Sequence, residues 1–181
     1  MPQSSSEPIS AELSERCAAI EVLVLDVDGV LTDGTITIDE RGVEIKHFNV
    51  RDGAAIGFWR RAGKRPAILS GRTSAAVDRR AAELGITEVV QGAFRKAEPF
   101  RELLLRLKVE PHQVCYVGDD IADLPPLRLA GLAACPGDAA PEVLSFCQLV
   151  TRSPGGRGAV REVVEVILKA QGLWEGLVRE E

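Results

Sequence analysis

The stretch VLVLDVDG at residues 22–29 runs from four consecutive apolar residues straight into two acids that are separated by one residue. A short apolar run of this kind predicts a strand that is buried on both faces. Because alternate residues of an extended chain point to the same side, Asp26 and Asp28 are expected together at the carboxyl end of that strand. Ligands of open α/β sheets bind at this end. Taken alone, the Asp-x-Asp pair is equally compatible with a cap or a turn.

The rest of the chain repeats the short apolar run and alternates it with helical patterns. Strands are predicted at residues 21–25, 65–69, 87–90, 113–117, 131–135 and 147–150. Helices are predicted at residues 53–61, 73–84, 97–107 and 158–170. Alternation of this kind is typical of a doubly wound, mostly parallel α/β sheet of the Rossmann-like class, with helices on both faces.

One segment departs from this alternation. Residues 35–48 alternate apolar and polar side chains on both sides of a turn that contains Gly42, and this predicts a β-hairpin insertion with no large cap domain. The first ten residues are expected to form a flexible tail, which leaves residues 11–181 as one domain. Residues 153–158 are expected to be a flexible glycine-rich stretch before the last helix.

The composition excludes several classes of protein. A chain of 181 residues with 45% hydrophobic content can supply one contiguous core, and its net charge of −5 argues against a nucleic-acid partner. The four cysteines have neither zinc-site spacing nor a disulfide framework. No run of roughly 18 apolar residues and no signal-peptide pattern occurs, so a cytoplasmic protein with no membrane partner is expected.

A second acidic group follows another predicted strand. Asp119, Asp120 and Asp123 come directly after residues 113–117, so they are expected beside Asp26 and Asp28 at the same sheet edge. Converging carboxylates repel one another unless a cation neutralises them. Oxygen ligands of this kind suit Mg²⁺, which is usually held by one or two carboxylates together with a phosphate. The sequence therefore predicts a magnesium-dependent phosphate site.

Two further residues can bind the phosphate itself. Ser70 follows a predicted strand and precedes a helix, so its hydroxyl and the nearby backbone N–H groups can donate to phosphate oxygens. Lys96 precedes the helix at residues 97–107 and offers a positive charge to the same oxygens. Each residue alone is also compatible with a plain helix cap or a solvated charge, and their value as a prediction lies in the ordered set.

That ordered set resembles the four motifs of the haloacid dehalogenase superfamily of phosphatases, over nearly the whole chain. The resemblance implies that Asp26 is the nucleophile and forms an aspartyl-phosphate, while Asp28 acts as general acid and then general base. Ser70 and Lys96 would be the other catalytic residues. Mg²⁺ would be held by Asp26, the backbone carbonyl of Asp28, and Asp119.

Longer motifs at residues 26–34, 48–53, 118–120 and 151–162 are similar to those of the 3-deoxy-D-manno-octulosonate 8-phosphate phosphatases. This resemblance implies hydrolysis of that sugar-acid phosphate in lipopolysaccharide biosynthesis, and a homotetramer. The substrate contacts that it implies are Asp28, Asn49, Val50, Arg51, Asp52, Gly53, Gly57, Arg72, Arg80 and Lys96.

Two other functions fit the same motifs. A phosphatase for nine-carbon, sialic-acid-type phosphates carries similar motifs, and a non-catalytic phosphoacceptor or scaffold could share the fold.

A single hairpin is too small to cover a sugar acid, so a neighbouring subunit is expected to complete the site. The candidate cover is the C-terminal segment with Gly155, Gly156, Arg157 and Gly158, whose glycines permit close approach and whose arginine can meet an anion.

Overall fold

The computed structural model describes residues 9–179, and its main feature is a six-stranded parallel sheet. Most of the expected tail, residues 1–8, and the last two residues, 180–181, lie outside the described part of the chain. The strands in chain order are β1 (Val22–Leu25), β2 (Thr37–Ile38), β3 (Glu44–Ile45), β4 (Arg65–Leu69), β5 (Glu88–Val90), β6 (Val114–Val117), β7 (Leu132–Cys135) and β8 (Leu149–Val150).

The helices lie between the strands and at both ends of the described chain. They are α1 (Ala11–Ala18), α2 (Val50–Arg61), α3 (Ala75–Leu84), α4 (Ala97–Leu107), α5 (Leu124–Leu129), α6 (Pro141–Leu144), α7 (Ala159–Ala170) and α8 (Trp174–Arg179), with short 3₁₀ turns at Pro111–Gln113 and Ile121–Asp123.

Strand β1 lies in the middle of the sheet, whose order is β5-β4-β1-β6-β7-β8. Val22 is paired in parallel register with Arg65 of β4 on one side and Val114 of β6 on the other. The chain therefore winds outward in both directions from β1, which confirms the predicted doubly wound α/β class. The loops that follow β1, β4 and β6 are brought side by side at one edge.

Each face of the sheet packs against its own apolar cluster. Leu23 and Leu25 of β1 point to the face that α2 and α7 cover, and Val22 and Val24 point to the face that α4 covers. All four side chains are fully buried. The strand is thus apolar throughout because both of its faces lie in a core.

The sequence patterns misplaced the start of one helix and did not predict four others. Helix α2 begins at Val50, three residues before the predicted start, because the side chain of Asn49 caps it by accepting a hydrogen bond from the Arg51 backbone N–H at 2.8 Å. Helices α1, α5, α6 and α8 were not predicted. Three of them have four to six residues and the fourth has eight, which leaves little room for a 3.6-residue periodicity to show.

The hairpin lies inside the predicted range of residues 35–48 but is small. Thr37 pairs with Ile45, and Ile38 pairs with Glu44, in antiparallel register. Four apolar side chains of the hairpin are exposed by between 43% and 60%, namely Ile36, Ile38, Val43 and Ile45. A two-stranded ribbon with an uncovered apolar surface is only marginally stable by itself in water.

The glycine-rich stretch at residues 153–158 was expected to be flexible, and the structure contradicts this. Gly155 donates a hydrogen bond to Asp138 Oδ1 at 2.9 Å, and Gly156 donates one to the Val30 carbonyl at 2.9 Å. A Cβ atom on Gly155 would lie 1.8 Å from the carbonyl oxygen of Gly29. The glycines permit the stretch to pack directly on the β1 loop of its own chain.

Among the described residues, none of the helices combines the length with the apolar character that crossing a membrane requires.

Candidate active site

A cleft of about 290 Å³ lies where the loops after β1, β4 and β6 meet. It is lined by Asp26, Asp28, Gly34, Ser70, Gly71, Arg72, Phe94, Lys96, Asp119, Asp120, Ala122 and Asp123. Every residue that was predicted as catalytic or metal-binding is therefore found in one cleft. Phe94 was not predicted, and this residue is 82% exposed at the cleft.

Asp26 is held at the end of β1 by the sheet itself. Its backbone N–H donates to the Val117 carbonyl of β6 at 3.0 Å, which continues the ladder between the strands for one more residue. The residue is 7% exposed, and its Oδ2 lies 2.9 Å from Lys96 Nζ. A buried carboxylate with a fixed backbone and a paired cation can turn little, so its free oxygen has a defined direction.

Lys96 is also held from its other side, by Asp123. The lysine donates to Asp123 Oδ1 at 2.6 Å, and the Tyr116 hydroxyl donates to the same oxygen at 2.6 Å. The other oxygen, Oδ2, accepts from the backbone N–H groups of Asp119 at 3.2 Å and Asp120 at 3.3 Å. Asp123 thus has four donors around it and is fully buried. It fixes Lys96, a role that the sequence interpretation did not assign.

Asp26, Asp119 and Asp123 place one carboxylate oxygen each within 4.8 Å of one another. Since the oxygens of Asp123 are already engaged, Asp26 and Asp119 are the carboxylates that remain for a cation. Gly29 makes room for this arrangement: its φ is +83°, and a Cβ there would lie 2.0 Å from Asp119 Oδ2. The donor set fits Mg²⁺, which accepts few protein oxygens and keeps the rest of its ligands for water and phosphate.

The raised pKa values of Asp26 and Asp119 also favour a cation between their carboxylates. Burial, and next the nearby charge of Asp123, raise the pKa of Asp26 to about 7 even though Lys96 acts to lower it. Burial, followed by the charges of Asp26 and Asp123, raises the pKa of Asp119 to about 8. Burial disfavours the charge of Lys96, but Asp26 and Asp123 together raise its pKa. One buried lysine does not compensate three acids, so the cluster favours an added cation.

Asp28 lies on the hairpin side of the cleft. Its carboxylate is in hydrogen-bonding contact with Lys46 of the hairpin, and its Oδ2 lies 3.6 Å from Arg72 Nε. Glu44 accepts from Arg72 Nη2 at 2.6 Å and lies 3.4 Å from Lys46 Nζ. Glu44 and Lys46 were not predicted, because an alternating hairpin sequence gives no sign of which polar side chains turn toward a site.

Ser70 is placed at the end of β4 by backbone pairing. Its N–H donates to the Val90 carbonyl at 2.8 Å, and its own carbonyl accepts from the Ala93 N–H at 3.0 Å. The side chain is in the cleft, where its hydroxyl oxygen lies 3.4 Å from the backbone nitrogen of Arg72, which donates to it. A small anion in the cleft would meet this hydroxyl and the start of the loop that leads to α3.

Several predicted substrate contacts lie outside this cleft in the single chain. Asn49 caps α2 and also donates to the Gly156 carbonyl at 3.3 Å. Asp52 is 1% exposed and accepts from the backbone N–H groups of Gly158 at 3.1 Å and Arg161 at 2.8 Å, so it caps the start of α7. Burial raises the pKa of Asp52, while these same backbone donors act to lower it. Both side chains tie α2 to the glycine-rich stretch.

Val50, Arg51, Gly53, Gly57 and Arg80 also do not line the cleft. Val50 and Arg51 are exposed, while Gly53 contacts Arg80, whose guanidinium group lies 5.9 Å from the ring centre of Phe48. Gly57 lines a separate cavity of about 660 Å³ together with Phe58, Arg60, Arg61 and Arg161. A role for these residues in substrate binding stays a prediction.

Comparisons with known proteins agree with the geometry. The haloacid dehalogenase-like hydrolase family matches residues 40–131. The 3-deoxy-D-manno-octulosonate 8-phosphate phosphatase KdsC of Escherichia coli K12 is 44% identical over 165 residues, which cover 91% of this chain and 88% of that protein.

Two solved structures extend the similarity to three dimensions. The 3-deoxy-D-manno-octulosonate 8-phosphate phosphatase of Yersinia pestis superposes with a TM-score of 0.91 at 43% identity, covering 93% of this chain and 91% of that one. The phosphatase of the same name from Moraxella catarrhalis, solved with a magnesium ion, a phosphate ion and KDO, has a TM-score of 0.91 at 37% identity, covering 93% and 97% of the two chains.

Proposed function

Since the chain belongs to the 3-deoxy-D-manno-octulosonate 8-phosphate phosphatase family of haloacid dehalogenase-like hydrolases, we propose that it hydrolyses 3-deoxy-D-manno-octulosonate 8-phosphate to the free sugar acid and phosphate. The observation that carries the proposal is the convergence of Asp26, Asp28, Ser70, Lys96 and Asp119 in one cleft. The proposal extends to the cytoplasm as its location and to lipopolysaccharide biosynthesis as its pathway, which follow from the same family.

In the first half of the reaction Asp26 is the nucleophile. A carboxylate oxygen attacks phosphorus, a new P–O bond forms, and the bond between phosphorus and the sugar oxygen breaks to give an aspartyl-phosphate. Asp28 donates a proton to the departing sugar oxygen, which leaves as an alcohol. An alkoxide leaves poorly, so this proton transfer lowers the barrier. The spacing of Asp26 and Asp28 along one extended segment supports these two roles.

In the second half a water molecule attacks the aspartyl-phosphate. Asp28, now deprotonated, accepts a proton from this water, the P–O bond to Asp26 breaks, and inorganic phosphate and free Asp26 result. Splitting one difficult hydrolysis into two displacements is the advantage of a covalent nucleophile. Lys96, held 2.6 Å from Asp123 and 2.9 Å from Asp26, offsets negative charge on the phosphoryl oxygens throughout.

The carboxylates of Asp26 and Asp119 and the backbone carbonyl of Asp28 would hold Mg²⁺. When bound, this ion neutralises the charge that builds up on the phosphoryl oxygens and orients the phosphate for in-line attack. The relative from Moraxella catarrhalis was solved with magnesium and phosphate. The raised pKa values of Asp26 and Asp119, about 7 and about 8, support a requirement for a cation at this position.

The substrate presents a carboxylate and several hydroxyls besides its phosphate. Arg72 lines the cleft with its side chain 44% exposed, so its planar guanidinium group can meet the substrate carboxylate in two parallel hydrogen bonds. Arg80 is the second proposed contact. It does not line the cleft of the single chain, so we propose that a neighbouring subunit, or the bound substrate, extends the binding site as far as this side chain.

We infer a homotetramer that is assembled through the hairpins. Ile36, Ile38, Val43 and Ile45 leave an apolar surface on a hairpin that has two residue pairs. Pairing with hairpins of other copies would bury this surface and supply the strand neighbours that the ribbon lacks. The other subunits would also bring a cover to the cleft, as the small insertion requires.

The test is the release of phosphate from three esters at saturating Mg²⁺: 3-deoxy-D-manno-octulosonate 8-phosphate, a nine-carbon keto-acid phosphate, and p-nitrophenyl phosphate. The proposal expects the largest kcat/KM for the eight-carbon ester. A larger value for the nine-carbon ester would contradict the substrate assignment. Absence of turnover with all three would contradict phosphatase activity and favour a non-catalytic scaffold.

A further inference from the structure

We propose that Glu44, on the hairpin strand β3, and Lys46, directly after this strand, are positioning residues that hold Asp28 and Arg72 ready for the reaction. The inference rests on the proposed function, because it concerns the group that protonates the leaving oxygen. The hairpin would then be part of the active site of its own subunit, in addition to any role in assembly.

The four side chains form a closed ring of alternating charge, which we call the hairpin ring. Lys46 contacts Asp28 Oδ1, and Arg72 Nε lies 3.6 Å from Asp28 Oδ2, so each oxygen of Asp28 has its own cation. Glu44 Oε1 closes the ring from the other side, at 2.6 Å from Arg72 Nη2 and 3.4 Å from Lys46 Nζ. Two acids and two bases make the ring neutral.

Three separate parts of the chain meet in the hairpin ring. Asp28 comes from the loop after β1, Arg72 from the loop after β4, and Glu44 and Lys46 from β3 and the residue that follows it. Glu44 and Lys46 are separated by one residue, so they share one side of this extended segment. That side faces the cleft, whereas the apolar side chain of the intervening Ile45 is 43% exposed on the opposite side.

The side chain of Lys46 is far more buried than a solvated charge on a hairpin would be. Its side chain is 3% exposed, although the hairpin around it is largely open to solvent. Removing an ammonium group from water costs several kcal/mol unless carboxylates receive it, and a whole set of buried ion pairs can often be replaced by apolar residues without loss of stability. Stability alone therefore does not explain a lysine here.

A role in orienting the Asp28 carboxylate does explain why a lysine occupies position 46. A side chain of aspartate on a loop can adopt several rotamers, and a general acid is useful only when its oxygen points at the leaving group. With one cation on each oxygen, Asp28 is restricted in rotation before substrate arrives. Arg72 is restricted in the same way by Glu44, which keeps its guanidinium group at the cleft.

Two esters that differ in their leaving group separate this role from structural damage. A sugar phosphate loses an alkoxide and needs the proton from Asp28, whereas p-nitrophenyl phosphate loses a stable phenolate and does not. The measured quantity is kcat/KM, which reports steps up to departure of the first product and so excludes the second half of the reaction, in which both esters give the same aspartyl-phosphate.

In the variant Lys46→Met we expect kcat/KM for 3-deoxy-D-manno-octulosonate 8-phosphate to fall by about tenfold or more and that for p-nitrophenyl phosphate by less than about threefold. Lys46→Arg should restore part of the loss, because it returns a cation to the ring. Glu44→Gln should raise KM for the sugar acid more than it lowers kcat, since its effect is transmitted through Arg72.

The matched controls are Arg41→Met and Glu40→Gln, at the turn of the same hairpin, where Arg41 pairs with Asp39 at 3.3 Å. Both should stay within about twofold of the unsubstituted protein on both esters. Light scattering on each variant checks the oligomer. Equal losses on the two esters in Lys46→Met, or no loss, would overturn the inference while leaving the phosphatase assignment intact. If the unsubstituted protein hydrolyses neither ester, the proposed function fails, and the inference with it.

Discussion

Asp26 and Asp28, the two acids of the Asp-x-Asp pair, are separated by one residue but lie in different environments. Asp26 is 7% exposed and held by the sheet edge, through a backbone bond to β6 and the chain of Lys96, Asp123 and Tyr116. Asp28 has a side chain that is 22% exposed and is held by the hairpin ring. The sheet edge rests on two packed cores, whereas the hairpin rests on two residue pairs.

This difference agrees with the different tasks proposed for the two regions. A nucleophile and its cation site need fixed geometry, and central strands with buried faces provide it. The region that meets the variable part of a substrate tolerates a less stable support, and it gains from being completed by other subunits. Substitutions of the acids at the sheet edge are therefore expected to affect the chemistry strongly, and those at the hairpin to affect substrate recognition and assembly.

The largest effect is expected from Asp26→Asn, because an amide cannot form the aspartyl-phosphate. Turnover should fall by on the order of 10³-fold or more, with the fold retained. The matched control is Asp33→Asn in the same loop, where the carboxylate is exposed and lies 3.5 Å from Arg157. Turnover of Asp26→Asn within tenfold of the unsubstituted protein, measured by phosphate release, would rule out Asp26 as nucleophile.

A strong effect on folding is expected from Gly156→Ala, since the glycine-rich stretch supports the β1 loop from outside the sheet. Gly156 has a φ of +63°, and a Cβ there would lie 2.4 Å from the backbone carbon of Thr32. The free energy of unfolding should fall by about 2 kcal/mol or more. Gly172→Ala serves as the control, because its φ of +69° carries the same backbone strain but its Cβ would meet nothing within 4 Å. Equal losses in urea unfolding would show that packing on the loop is unimportant.

The acid cluster predicts an inverse dependence of stability on pH in the absence of magnesium. The pKa values of Asp26 and Asp119, about 7 and about 8, are raised above their usual range first by burial and then by nearby acids, which are Asp123 for Asp26, and Asp26 with Asp123 for Asp119. The folded state then binds more protons than the unfolded state between about pH 4 and pH 8, so the free energy of unfolding falls as pH rises through that window. The midpoint of thermal unfolding in chelator should drop by at least about 4 °C across it.

Magnesium should reverse this trend, because it binds the deprotonated carboxylates and stabilises the folded state more at pH 8 than at pH 5. Asp119→Asn is the control, and it should flatten the profile in chelator and remove most of the stabilisation by magnesium. A profile in chelator that rises with pH, as it would for ordinary paired carboxylates, would contradict the cluster as described.

At the hairpin, Ile38→Lys is expected to act on assembly and substrate binding. Ile38 is 60% exposed in the single chain, so a charge there costs little folding stability but opposes the burial that hairpin pairing requires. The oligomer should shift toward monomer in light scattering, and KM for the sugar-acid phosphate should rise by about fivefold. Leu105→Lys, at a side chain that is 78% exposed on α4, should do neither. A fully active monomer would contradict closure of the site by other subunits.

The smallest effect is expected from Arg157→Ala. Its guanidinium group lies 3.5 Å from Asp33, and its side chain is 66% exposed, so solvent screens the pair. The free energy of unfolding should change by less than about 0.5 kcal/mol. A drop in kcat/KM with unchanged stability would instead support the expectation that this arginine meets an anion at the site of a neighbouring subunit. Unchanged kinetics would leave it as an exposed side chain.

The sequence by itself determined the fold class and placed the predicted catalytic and metal-binding residues in one cleft. Strand β1 must be buried because it is apolar on both faces, and the acids, Ser70 and Lys96 must lie near one another because each follows a strand of one parallel sheet or precedes a helix beside it. These conclusions depend on neighbours along the chain and on a general rule of sheet geometry. For that reason they needed no knowledge of particular contacts.

The tertiary structure alone decided which polar side chains are hydrogen-bond or ion-pair partners. Asp120 and Asp123 look alike in the sequence, yet Asp123 accepts from Lys96 and Tyr116 while Asp120 caps a 3₁₀ turn. Asp52 ties α2 to α7 across 106 residues, and Lys46 reaches Asp28 across 18. Such partners are set by the packing of distant segments, and a hydrogen bond depends on tenths of an ångström that no local pattern of residues encodes.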